Sequence, residues 1–321
     1  SSMDGGTPSR HNNASFMLGT DGKIGETEGN VIAGTLAWTG NFHIEFVNNM
    51  LVNEPVQIYA GINPTAADYT LDAKKSLTTP ELILTYSTEG KGQATRNLHY
   101  WARNHHILQG TSQRHILLNS WEGVRMNVTQ TGRNSMMDDL SEPGGKLGVD
   151  MFLLDDGWFG NKYIRDDSQG LGDWEVCRER LPEGIGKLIE YAHGRNLRFG
   201  IWIEPEMVNY KSELYEKHPD WVLKNEHFEP TYGRGKTQLL LDLTNPKVQD
   251  FVYGVVDNLM KENPEISYIK WDFNMSMFNA SSPYLPKSHQ SNLYVDYHLG
   301  LQNILKRVRE TYPDLIIQLC S

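Results

Sequence analysis

The sequence predicts an α/β chain: a (β/α)8 TIM-type barrel of which only about six strands are present, preceded by part of an N-terminal β-sandwich domain. Three observations carry this prediction. Roughly the first hundred residues alternate apolar and polar side chains with the period of a strand. The remainder repeats a short apolar run followed by an amphipathic helical stretch. Nearly every one of those later runs ends in carboxylates, amides or tryptophans.

In the first part, residues 29–46 alternate around Val31, Ile32, Thr35, Trp38, Phe42, Ile44 and Phe46, and residues 56–62 and 81–88 repeat the pattern. Asp21-Gly22, Asn48-Asn49, Asn63-Pro64 and Thr79-Pro80 separate them as turns would, which suits antiparallel pairing. Residues 1–92 are therefore assigned to the sandwich. Between residues 93 and 107 the period changes, because Ala94, Leu98, Trp101 and Ala102 fall on one helical face. This predicts a bridging helix over 93–111.

Residues 112–321 carry the barrel pattern. Its apolar runs are 115–118, 151–154, 198–203, 239–243, 268–271 and 315–319, and helices are predicted over 184–196, 246–261 and 293–312. Near-continuous apolar strands alternating with helices mean a parallel sheet covered by helices. A doubly wound sheet would gather its polar residues at one switch point. Here they sit on almost every strand end, which favours the barrel mouth. A closed barrel needs eight strands over roughly 250 residues. About 210 residues follow the bridging helix, so the chain is read as part of a longer one, truncated after strand six.

Composition narrows the function. Lys and Arg total 30 against 40 Asp and Glu, a net charge of -10 dispersed along the chain, which disfavours a nucleic-acid partner. No run approaches the roughly 18 apolar residues of a membrane helix, and mean hydropathy is -0.51. The two cysteines, Cys177 and Cys320, lie far apart without metal-ligand spacing. No basic segment followed by an apolar core is visible at the start of the sequence, which for a piece of a longer chain carries no information on a signal peptide. The compartment stays open, and a homo-oligomer is allowed.

The strand ends carry the chemistry. Asp155-Asp156-Gly157-Trp158 closes the second run. Its paired carboxylates suit sugar hydroxyls and Trp158 a pyranose face; a turn with a capping aspartate is the plainer alternative. Trp202-Ile203-Glu204-Pro205-Glu206 closes the third, and a packed rim tryptophan with a capping Glu explains it equally well. On the fifth, Lys270, Asp272 and Asn274 share one face by the period of two, while Ile269, Trp271 and Phe273 take the other. A cation and an amide beside one carboxylate keep it ionised and aimed, as a nucleophile requires. The alternative is a structural Lys-Asp pair. Trp121-Glu122 closes the first run, Cys320-Ser321 the sixth, and Arg234 and Lys236 precede the fourth.

Carboxylates, indole faces and amides around one mouth describe a sugar site. Metal-dependent hydrolysis would want histidines on strand ends, but His105 and His106 belong to the bridging helix and His115 opens a strand at the wrong end. Phosphate and nicotinamide sites lack their glycine-rich loops. A non-catalytic carbohydrate-binding protein would not need the Lys270-Asp272-Asn274 row. No cofactor or metal is expected.

Further motifs run end to end: Gly25-Glu26-Thr27-Glu28-Gly29, Asn119-Ser120-Trp121-Glu122, Asp155-Asp156-Gly157-Trp158-Phe159-Gly160, Leu171-Gly172-Asp173-Trp174 and Lys270-Trp271-Asp272-Phe273-Asn274. In these the chain resembles glycoside hydrolase family 36, the melibiase-type α-galactosidases, and looks closest to bacterial members. The resemblance implies a sandwich, a central barrel and a C-terminal β-domain, with metal-free release of terminal α-linked galactose and retention of configuration. It makes Asp272 the nucleophile and Asp155 with Asp156 the holders of the galactose 4- and 6-hydroxyls. Lys270, Asn274 and Cys320 become sugar contacts, Trp121 and Trp202 aromatic walls, and Arg234 or Lys236 a further hydroxyl contact. The family's acid/base aspartate follows the Cys-Ser at which this sequence stops, so these 321 residues alone are expected to lack useful turnover. Met275 stands where many members carry arginine. The same scaffold also serves α-N-acetylgalactosaminidases and raffinose-type transgalactosylases.

Overall fold

A computed structural model describes residues 1–2, 12–48, 55–141, 148–225, 227, 236–278 and 280–320. The chain divides into two compact units, Ser1–Gln113 with Lys287–His298, and Arg114–Pro286 with Leu299–Ser321.

The first unit holds strands β1 (Ser15–Gly19), β2 (Val31–Leu36), β3 (Phe42–Val47), β4 (Gln57–Ile62) and β5 (Leu82–Ser87). They form two antiparallel sheets, β1-β2-β5 and β3-β4. The alternation over 29–46 is thus two strands in different sheets, and β1 went unforeseen because Ser15–Gly19 is short and half-exposed. Helix α1 (Gly90–Trp101) continues as a π-helical turn over Ala102–His106. Ala94 and Leu98 lay its apolar face on Val31 and Ala33.

His298 is a buried base of this unit. It is 1% exposed, its Nδ1 lies 3.1 Å from Thr39 Oγ1, and its ring meets Trp38 edge-on at 5.5 Å. Burial pushes its pKa down to about 4. The unfolded imidazole, near 6.5, therefore takes up a proton first as the pH falls, and stability is lost from about pH 6.5 to 4 while it is intact above that window. The loss should approach roughly 3 kcal/mol. Thermal melts from pH 7 to 4 should show a shallower acid limb for His298→Phe than for the wild type; parallel limbs would refute the assignment.

The second unit is built on a five-stranded parallel sheet. Its members are β6 (Leu117–Asn119), β7 (Met151–Leu154), β8 (Arg198–Ile203), β11 (Ile266–Asp272) and β12 (Ile316–Cys320), in the order β12-β11-β8-β7-β6. β9 (Met207–Asn209) and β10 (Gln238–Leu240) pair antiparallel with each other in a separate ribbon. This corrects the strand count: the fourth predicted run is β10, outside the sheet, and β11 pairs directly with β8. Leu239, Leu240 and Leu241 are buried, so the run reads like a core strand, but burial does not name a pairing partner. Asp272 accordingly ends the fourth parallel strand rather than the fifth.

The α-helices described after α1 are α2 (Trp121–Val124), α3 (Gln130–Ser141), α4 (Gly184–His193), α5 (Glu213–Lys217), α6 (Pro246–Glu262) and α7 (Leu293–Thr311). α4 buries Ile185, Leu188, Ile189 and Ala192, and α6 buries Val248, Val252, Val256 and Leu259, each a single stripe at helical spacing. Asn245 starts α6 by accepting from Lys247 N at 3.0 Å, with Pro246 at the first helical position. No described helix is long and apolar enough to cross a membrane.

Candidate active site

The C-terminal ends of β6, β7, β8, β11 and β12 gather the polar residues. β11 stops at Asp272, which is 7% exposed. Its Oδ2 accepts from Trp202 Nε1 at 3.1 Å and from Asn274 Nδ2 at 2.7 Å, and its Oδ1 accepts from Phe273 N at 3.0 Å. Three N–H donors on one buried carboxylate fix its direction.

Two residues earlier on the same face, Lys270 Nζ lies 2.9 Å from Asp155 Oδ2. Burial disfavours the ammonium, but the hydrogen bond and charge of Asp155 outweigh it and hold Lys270 above its ordinary range. Asp155 also accepts from Asn119 Nδ2 at 2.7 Å and from Asp156 N at 2.9 Å, and its own N–H donates to Ser120 Oγ at 2.9 Å. Residues 119–120 at the end of β6 thus hold the end of β7. On the opposite face of β11, Trp271 Nε1 donates to the buried Glu206 at 2.8 Å.

Asp156 is clamped separately. Arg165, fully buried, gives Nε to Oδ1 and Nη2 to Oδ2, both at 2.9 Å. Its third nitrogen reaches Asn209 Oδ1 at 3.3 Å and the Asp166 carbonyl. The turn that returns Arg165 onto Asp156 needs glycine at 157 and 160, with φ of +107° and +87°; a Cβ on Gly160 would stand 2.2 Å from the Tyr163 carbonyl. Arg165 was missed from sequence. The available signal was the pair of buried carboxylates itself, which demands a cation for each.

Cys320 is the register partner of Asp272, and Phe273 N donates to its carbonyl at 3.0 Å. Burial and then the charge of Asp272 raise its thiol. Glu204, at the end of β8, is fully buried, and its Oε1 accepts both Asn274 N and Asn274 Nδ2 at 2.8 Å. Burial, with Asp272 next, pushes its pKa up to about 8.

One tryptophan, Trp158, departs from expectation. Trp158 is fully buried, donates Nε1 to the Trp202 carbonyl at 3.0 Å, and offers no open face to a sugar. Trp202, 1% exposed, stacks on Phe159 at 6.3 Å and tilts against Trp174, so it presents an N–H edge to Asp272. Trp121 is half-buried at the start of α2, its N–H on Asn119 Oδ1 at 2.9 Å. The structure therefore brings together Asp272, Lys270, Asn274, Asp155, Trp202 and Cys320, with Asp156 and Trp121 adjoining through Asp155 and Asn119. Arg234 lies outside the described residues, and Lys236 has a left-handed backbone at φ +66°. Among the described residues no group of three or more His, Cys, Asp or Glu is arranged to hold a metal ion.

Residues 76–321 match the Melibiase family model, and residues 1–72 match the glycosyl hydrolase family 36 N-terminal domain. The chain is 34% identical over 318 residues to the bifunctional alpha-galactosidase/sucrose kinase AgaSK of Mediterraneibacter gnavus, covering 98% of this chain and 32% of that protein. It is 31% identical over 315 residues to alpha-galactosidase 1 of Pediococcus pentosaceus, covering 98% and 42%. A variant of the GH36 alpha-galactosidase AgaA from Geobacillus stearothermophilus, solved in complex with stachyose, superposes with a TM-score of 0.87 at 30% identity, over 96% of this chain and 42% of that one. The chain thus spans between about a third and two fifths of the relatives it matches.

Proposed function

We propose, for a chain that belongs to the melibiase family, glycosyl hydrolase family 36, that the whole protein releases terminal α-linked galactose from oligosaccharides with retention of configuration. The fold is that of a TIM-like barrel with an N-terminal domain; in this reading the parallel sheet is one side of a closed (β/α)8 barrel and the two antiparallel sheets belong to a β-sandwich. The observation that carries the chemistry is the Asp272 carboxylate, held by Trp202, Asn274 and Phe273 two residues from the Lys270-Asp155 pair.

Asp272 attacks the anomeric carbon and forms a covalent galactosyl ester. A second carboxyl about 5 to 5.5 Å away protonates the leaving oxygen and then activates water. Lys270 and Asp155 hold galactose hydroxyls as a donor and acceptor pair, and Asp156, its position set by Arg165, holds another. Cys320, Asn274, Trp121, and Arg234 or Lys236 complete the sugar contacts.

The whole protein incubated with stachyose should release galactose whose first-formed anomer, followed by proton NMR, is α. The aryl α-galactoside should be cleaved in preference to the aryl α-N-acetylgalactosaminide. A first-formed β anomer would overturn retention, and absence of galactose release would overturn the function.

A further inference from the structure

Glu204 is a buried carboxyl that the double displacement leaves unused. It is fully buried, its Oε1 takes both N–H groups of Asn274 at 2.8 Å, and its Oε2 has no hydrogen-bond partner among the described residues. The Asn274 side-chain amide has two hydrogens. One meets Glu204 Oε1, and the other meets Asp272 Oδ2 at 2.7 Å. One amide thus bridges two carboxyl groups, and the charged groups around Glu204 are Asp272, Asp156 and Arg165.

Two carboxylates sharing one neutral amide in a dry site would repel each other, and a charged Glu204 would leave an oxygen with no donor. We propose that Glu204 is a positioning residue for the nucleophile: a neutral carboxylic acid that fixes the Asn274 amide so that its second N–H is aimed at Asp272. Glu204 touches neither sugar nor reacting atoms. As a neutral acid it aims Asp272 without adding a negative charge where the galactosyl ester forms. The high pKa, about 8, agrees with this state at neutral pH. The inference rests on the reading of Asp272 as nucleophile.

Four variants of the whole protein test it on an aryl α-galactoside. Glu204→Gln keeps the shape and neutrality of the acid and should retain kcat within about threefold. Glu204→Ala frees the amide and should lower kcat about 10- to 100-fold with little change in KM, as expected when a reacting group is misaimed. Asn274→Ala and the Glu204→Ala/Asn274→Ala double variant should lose no more than about the larger single loss, because both remove one device. A Glu204→Gln enzyme as slow as Glu204→Ala, or additive losses in the double variant, would overturn the proposal. The wild-type minus Glu204→Gln infrared difference spectrum supplies a readout independent of turnover. It should contain a protonated-carboxyl stretch at pH 6 that fades above about pH 8; a carboxylate band at pH 6 would overturn the neutral state whatever the enzyme hydrolyses. An inactive wild type showing the protonated band would sink the galactosidase reading alone.

Discussion

Asp272→Asn in the whole protein is expected to lower kcat/KM on an aryl α-galactoside by about four orders of magnitude or more, the scale on which loss of a nucleophile is felt. The substitution keeps the size of the side chain and removes the charge. It also changes the hydrogen bonding in a definite way. Oδ2 now accepts from Trp202 and Asn274, and Oδ1 from Phe273 N. An asparagine has one acceptor oxygen, so one of these donors must face an NH2 group whichever way the amide turns. Leaving a buried donor unmet costs about 1–3 kcal/mol, enough to lower the melting temperature by a few degrees and far too little to unfold the protein. Rate loss and stability loss are therefore separable: a rate within tenfold of wild type would remove Asp272 from its role, and a collapsed melt would make the variant uninformative about chemistry. In that case Asp272→Glu decides, since it keeps the charge but displaces the oxygen; a rate within tenfold of wild type would again count against the role.

The Asp272 neighbourhood was legible because a strand end has a period of two. Lys270, Asp272 and Asn274 alternate with Ile269, Trp271 and Phe273, and in β11 the first set turns to Asp155, Trp202 and Glu204 while Trp271 reaches Glu206. The apolar runs of β7 and β8 were legible because both faces are buried. What stayed hidden belongs to tertiary pairing. Leu239–Leu241 has the apolar character of a barrel strand, and only its register with Met207–Asn209 shows it to be a ribbon. Trp158 reads as a sugar platform because an indole beside carboxylates suggests one, whereas for Trp202 the residues alone allow a packed rim ring equally well. Their rings belong to a cluster with Phe159 and Trp174, at centroid distances from 4.4 to 6.3 Å. Arg165 sits in an aperiodic loop, and no local pattern links it to a carboxylate nine residues earlier.

Arg165→Met should be the most destabilising single change at this site. The pair it breaks is bidentate and almost wholly dry, with Arg165 at 0% and Asp156 at 2% exposure. Breaking a buried ion pair by removing one partner costs about 3–5 kcal/mol. For a unit of this size each kcal/mol moves the melting temperature by about 2–4 °C, so a fall of roughly 6–20 °C is expected at pH 7. Part of the fall should be recovered by Arg165→Met/Asp156→Asn, because the buried carboxylate that loses its guanidinium is then neutral. On the proposed role of Asp156 as an acceptor for a sugar hydroxyl, the double variant should nevertheless stay impaired toward galactosides, because that charge is lost. Arg165→Lys separates geometry from charge: an ammonium retains the pairing but cannot make two parallel N–H bonds and also reach Asn209. Its melting temperature should lie between those of the wild type and Arg165→Met. Equal melts for all three single-site forms would show that the clamp contributes nothing, and a double variant no more stable than Arg165→Met would show that the loss comes from packing around the guanidinium rather than from the buried charge.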